Sequence, residues 1–150
     1  ILSICITFVI NSIMEINIWA VIAATVAQFV VGAVWYTFLF GKLWGEIHGF
    51  DKLPKEVQDK MAKDIGPFYG LQLLVTVFSS VVLVILINNL PDFSPYYIGF
   101  LAWVGFILPA QFSAVIFGGT EGKWIFKKLA VQSAGALACT LLAVAVISLF

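Results

Sequence analysis

Arginine does not occur in this 150-residue chain, charged residues of every kind make up only 11%, and there are two cysteines and one histidine. Each scarcity excludes a class of protein. Without arginine, and at a formal net charge of zero, the chain has no basic surface for nucleic acid. Two cysteines cannot staple a disulfide scaffold, and with Cys139 inside an apolar run no bridge to Cys5 is expected. His48 sits between glycines with no cysteine or second histidine nearby, so no zinc site is expected. What the chain has instead is apolar: 62% of residues are hydrophobic and the mean hydropathy is +1.07. Soluble domains run at about 45–50% apolar and about 25% charged, because a small globule has too much surface to cover. The composition therefore excludes a disordered chain and points to a bilayer.

Uncharged runs occupy residues 18–40, 68–90, 96–117 and 129–150, each 22 or 23 residues long. About 20 helical residues cross a hydrocarbon core of about 30 Å, so each run predicts one transmembrane helix. A barrel needs alternating segments of about ten residues and at least about eight strands, whereas these runs are apolar on every side. The expected fold is all-α: an integral membrane four-helix bundle.

All eight cations are lysines, at positions 42, 52, 55, 60, 63, 123, 127 and 128, and all fall in the first and third connections. Four crossings put those two connections on one face. The positive-inside rule counts Lys and Arg in short loops, so loops 41–67 and 118–128 are expected in the cytoplasm and both termini outside. Trp19, Tyr96 and Tyr97 would mark the outer boundary, and Trp44, Tyr69 and Trp124 the inner one. Lys127 and Lys128, one turn into the fourth helix, can snorkel back to the cytoplasmic surface.

The segment Met14-Glu15-Ile16-Asn17 directly precedes the first span and looks like a true start. Residues 1–13 are too short to cross, carry no basic region and show no small-residue cleavage site. They read as an upstream extension, with residues 14–150 as the single transmembrane domain; a genuine outer segment is the alternative.

No Asp, Glu, Lys, Arg or His lies inside the four runs. Intramembrane charge is the usual mark of proton relays and ion coupling, which argues against a driven pump. Glutamine behaves differently: Gln28, Gln72, Gln111 and Gln132 fall one to a helix. In the second helix Gln72, Thr76, Ser79 and Ser80 share a face by helical spacing, and in the fourth Gln132, Ala136 and Thr140 do, flanked by Gly135 and Cys139. The first helix offers Ala24, Gln28, Gly32 and Tyr36, and the third Ala102, Gly105, Pro109 and Ser113. These faces are expected to turn inward, because membrane helices associate through small residues and interhelical hydrogen bonds worth about 0.6–2 kcal/mol. The polar groups are then either packing contacts or the lining of a pathway for neutral solutes, completed by oligomerisation. Pro109 is expected to kink the third span.

A short amphipathic cytoplasmic helix is expected between the first and second spans, over residues 54–65. Pro54 suits its first turn and Gly66-Pro67 its end. Val57, Met61 and Ile65 would form its apolar stripe, with Glu56–Lys60 and Asp59–Lys63 as ion pairs. Gly118-Gly119-Thr120-Glu121-Gly122-Lys123 mimics a phosphate loop, but the spacing is one residue short, Trp124 stands where Ser or Thr should be, and no strand precedes it. It reads as a turn. Catalysis would have to come from loop residues such as His48, Glu46 and Glu121, so no enzyme activity and no cofactor are expected.

Specific motifs add a family. Asn17-Ile18-Trp19-Ala20, Gly32-Ala33-Val34-Trp35-Tyr36 and Phe40-Gly41-Lys42-Leu43-Trp44 resemble the small bacterial membrane proteins grouped as domain of unknown function 1761. Gly99-Phe100-Leu101-Ala102-Trp103-Val104-Gly105-Phe106, Pro109 and Trp124 extend the resemblance, which covers residues 14–150. Trp35, Tyr36, Gly41, Lys42, Trp103, Gly105, Pro109 and Trp124 are its motif residues. One departure is Phe38, where the family often has proline. The resemblance implies architecture and bacterial origin, and nothing catalytic. The expected role is a non-catalytic structural or accessory bundle, the alternative an oligomeric channel or facilitative carrier for small neutral solutes. The expected partners are the lipid bilayer and either a second copy or another membrane protein.

Overall fold

The computed structural model describes residues 16–150. The expectations about residues 1–13, Cys5 included, lie outside the described residues. Helix α1 (Ile18–Val34) starts at Asn17, whose Oδ1 accepts the backbone N–H groups of Trp19 and Ala20 at 3.0 and 3.4 Å. This satisfies two of the donors that a helix start leaves open. A wide π turn, Trp35–Leu39, carries the helix on. The short helix α2 (Gly41–His48) comes next and stops at Gly49, whose φ of 66° is left-handed and suits glycine. Helix α3 (Lys55–Asn89) is the longest. The third span is α4 (Pro95–Ala102), a second π turn (Trp103–Ile107) and α5 (Leu108–Phe117). After a turn at Gly118-Gly119 and one 3-10 turn (Gly122–Trp124), α6 (Ile125–Ile147) completes the fold.

Among the described residues, four helical units are therefore long and apolar enough to cross a membrane: Ile18–Leu39, Lys55–Asn89, Pro95–Phe117 and Gly122–Ile147. A short helix does stand between the first and second, but it is α2, with Leu43, Trp44 and Ile47 partly buried and Lys42 and His48 outside. His48 thus ends a helix rather than lying in a loop. Residues 54–65 form no separate helix; they are the first turns of α3, which runs through Pro67. Proline there removes the hydrogen bond to the Lys63 carbonyl, but residues 59–75 are all exposed, and at a lysine-bearing membrane boundary water can take the freed carbonyl. In the same turns Lys55 pairs with Asp59 at 3.3 Å. The Glu56–Lys60 and Asp59–Lys63 pairs do not form.

Helices α1 and α6 make the central pair; α3 packs on α1, while α4 and α5 pack on α6. The core occupies the half away from the lysines: Ala20, Val21 and Ala24 of α1, Leu83 and Val84 of α3, and Ala143, Val144 and Ile147 of α6. Small residues set the spacing. A methyl group on Gly99 would come within 2.8 Å of Val144 Cγ2, so α4 approaches α6 as closely as it does only because Gly99 has no side chain.

The third span turns a different face inward from the one its spacing predicts. Gly105, Pro109 and Ser113 are exposed, and the inward stripe is Gly99, Trp103, Ile107, Gln111 and Val115, every fourth residue. The π turn adds a residue to the helix and advances the stripe relative to a regular helical period. Pro109 sits in the first turn of α5, directly after that wide turn, where its missing N–H costs little.

A glutamine-lined cavity as the candidate functional site

In the lysine-side half the four spans do not close on one another. They surround a cavity of about 830 Å3, and Gln28, Gln72, Gln111 and Gln132 all line it. Its remaining polar lining is Tyr36, Thr37, Tyr69, Thr76 and Cys139, and its apolar wall is Phe29, Gly32, Ala33, Gly135 and Ala136. No Asp, Glu, Lys, Arg or His is among these residues.

Toward the core, the cavity ends at a hydrogen-bonded cluster. Ser80 Oγ accepts from Thr25 Oγ1 at 3.0 Å and from Gln28 Nε2 at 2.9 Å, and donates to the Thr76 carbonyl at 3.1 Å. All four side chains are buried. Cys139 Sγ approaches the Gln28 carbonyl at 3.6 Å, tying α6 to the same level. Beyond this layer lies the packed core.

The four amides are used unequally. Gln28 spends a donor on Ser80, and Gln111 Oε1 accepts from Ser133 Oγ at 3.1 Å. Gln72 Nε2 makes only a long contact with Thr76 Oγ1, at 3.4 Å. Gln132 Oε1 is buried and has no hydrogen-bond partner. An amide oxygen left so costs about 1–3 kcal/mol, and a half-turn of the group exchanges acceptor for donor.

Two tryptophans brace the walls. Each opens a π turn and each donates its indole N–H to a carbonyl of α6: Trp35 to Val131 at 3.0 Å and Trp103 to Ser133 at 2.9 Å. The first π turn holds Phe38 and no proline. Gly135 makes room for Trp35; a Cβ there would lie 2.8 Å from the indole Nε1. The backbone of Gly41 passes close to the Tyr36 carbonyl, 3.2 Å from where a Cβ would stand.

Of the remaining candidates, Thr140 is buried and bonds its own helix at the Ala136 carbonyl, and Ser79 is exposed, one position off the inward face. Gly105 and Pro109 are exposed as well, and Lys42 lies on the outside of α2. Tyr69, expected only as a boundary anchor, lines the cavity. Thr25 escaped the pattern, although it sits one turn before Gln28 on the same face.

The lysine end is rich in cation–aromatic contacts. Lys127 and Lys123 stand over the Trp124 ring at 5.1 and 5.8 Å, and Lys128 over Trp44 at 6.0 Å while reaching Thr120 Oγ1 at 3.3 Å. Hydrogen bonding and charge from Lys123 hold the exposed Glu121 carboxyl below its usual range. The His48 ring packs at a tilt against Trp44, with its Nδ1 2.9 Å from the Trp44 carbonyl. Among the described residues no group of three or more His, Cys, Asp or Glu side chains is placed to hold a metal ion.

No curated protein and no solved structure matches the chain. A family model described as "Protein of unknown function (DUF1761)" matches residues 19–148. That match runs from the first turn of α1 through the end of α6, and the chain belongs to the DUF1761 family.

Proposed function

We propose that this is a non-catalytic membrane bundle that binds a small neutral, hydrogen-bonding molecule in the glutamine-lined cavity, with its lysine-bearing loops in the cytoplasm. The observation that carries the reading is the lining itself: one amide from each span around one space, with no carboxyl, amine or imidazole among them. A volume of about 830 Å3 is within the range of ligand pockets, about 300–1,000 Å3. Amides offer donors and acceptors together but no fixed charge to pair with an ion, which favours a neutral ligand. The lining also lacks a side chain suited to take or give a proton near neutral pH, which supports binding without chemistry. The orientation rests on the lysines, all of which belong to the two connections at one end.

A channel or facilitative carrier for neutral solutes is the second reading, and the convergence of four amides favours it. Within one chain the Thr25–Gln28–Ser80 layer and the core behind it oppose a continuous path, so this reading needs a homo-oligomer.

Cys139 reports on the cavity it lines. In the Cys5→Ser chain, reconstituted in vesicles, neutral methyl methanethiosulfonate is expected to label Cys139 much faster than its sulfonatoethyl analogue. Filling the space with Ala136→Phe should slow the neutral reagent. Equal rates for both reagents, unaffected by Ala136→Phe, would contradict a neutral binding cavity.

A further inference from the structure

Building on the cavity reading, we propose that its ligand is a membrane-dissolved neutral amphiphile with a hydroxyl-bearing head, which enters sideways from the bilayer between α3 and α5. Three observations lead there. First, α3 packs on α1 and α5 packs on α6, and no packed interface joins α3 to α5, although both contribute a glutamine to the cavity. Residues 68–75 of α3 and most of residues 108–117 of α5 are exposed, with Val115 buried, and both stretches are apolar, which sets lipid tails rather than water beside them.

Second, most of the surface that the wall shows to the cavity is carbon, although polar side chains are the more numerous. Phe29, Gly32, Ala33 and Ala136 give a fully hydrophilic solute little to bond, but suit the upper part of an acyl chain. Third, the hydrogen-bonding capacity is mixed and partly unused: Gln132 Oε1 has no partner and Gln72 has only a long one. A hydroxyl both donates and accepts, so one polyol head satisfies groups of either kind. A phosphate or carboxylate head would find no cation among the lining residues and would carry its charge into a low-dielectric site. The blind end fits the same occupant. A lipid that enters from the side needs no exit through the packed half, whereas a solute in transit does.

The test uses the Cys5→Ser chain in phosphatidylcholine vesicles, with Cys139 labelling by methyl methanethiosulfonate as the readout. Monoolein, a neutral glycerol head on one acyl chain, is the probe; oleate at pH 8 and free glycerol are the controls. At an excess of about ten over its dissociation constant, monoolein is expected to slow labelling about tenfold by mass action, while oleate and glycerol leave the rate unchanged. Gln72→Leu and Gln132→Leu should each remove the protection without lowering the unfolding midpoint in sodium dodecyl sulfate, which shows that these variants remain folded. Protection by glycerol without protection by monoolein would overturn entry from the bilayer and leave the cavity reading standing. Protection by oleate equal to that by monoolein would overturn the neutral head. A reactive Cys139 that none of the three protects would overturn the amphiphile, and a Cys139 that neither reagent distinguishes would overturn the cavity reading beneath it.

Discussion

Ser80 does more for the bundle than its size suggests. Its hydroxyl accepts from Thr25 and Gln28 on α1 and donates within α3, so replacing it by alanine leaves two buried donors without their acceptor. Ser80→Ala is expected to cost about 1–3 kcal/mol in unfolding titrations with sodium dodecyl sulfate, whereas Ser79→Ala, one residue earlier and exposed, should stay within about 0.5 kcal/mol. Gln132 is the opposite case. Its oxygen is already unpartnered, so Gln132→Leu should leave stability unchanged or raise it in the same titration while ligand protection disappears. A lining free of Asp, Glu, Lys and His also predicts binding that stays flat from about pH 5 to about pH 7.5, measured as monoolein protection across that range. The glutamines were readable from sequence because polar residues stand out against uncharged runs. Which of two adjacent serines faces inward was not, since helical spacing allowed both.

At the level of elements, the two π turns decide the geometry that a regular helical period misses. Each starts on a tryptophan bonded to α6, at Val131 and Ser133, and each shifts the phase of the residues after it. That is why regular spacing points the face Ala102, Gly105, Pro109, Ser113 inward, while the stripe through Trp103, Gln111 and Val115 is found there. The number and order of the four long helices were legible, because length and the absence of charge mark a crossing helix without any need for phase, but the second and fourth begin earlier than their uncharged runs, at Lys55 and Gly122. Pro67 misled for a related reason: proline ends helices whose carbonyls need an internal donor, and at an exposed boundary that need is weak. Gly135→Ala probes the bracing directly. Its methyl would stand 2.8 Å from Trp35 Nε1, so the indole must shift and release Val131, at about 1–3 kcal/mol. Trp35→Phe, which loses the N–H and keeps the ring, should lose part of the same stability in the same titration.

The whole molecule is divided across its thickness. One half is closed by alanine, valine, leucine and isoleucine side chains from α1, α3 and α6; the other is hollow, lined by the four glutamines and flanked by all the lysines. A net charge of zero conceals this polarity, because six of the eight acidic residues share the two loops that hold the lysines. With the Cys5→Ser chain in intact cells, a cysteine at Lys60 should resist an impermeant outside reagent and one at Asp92 should react, which fixes the lysine end inside. The division also separates a one-ended binding cavity from a conduit, and one measurement decides between them. Glycerol permeability of vesicles containing the chain, followed by stopped-flow light scattering, is predicted to equal that of protein-free vesicles. A protein-dependent glycerol flux that disappears in Gln72→Leu and Gln132→Leu would contradict the account.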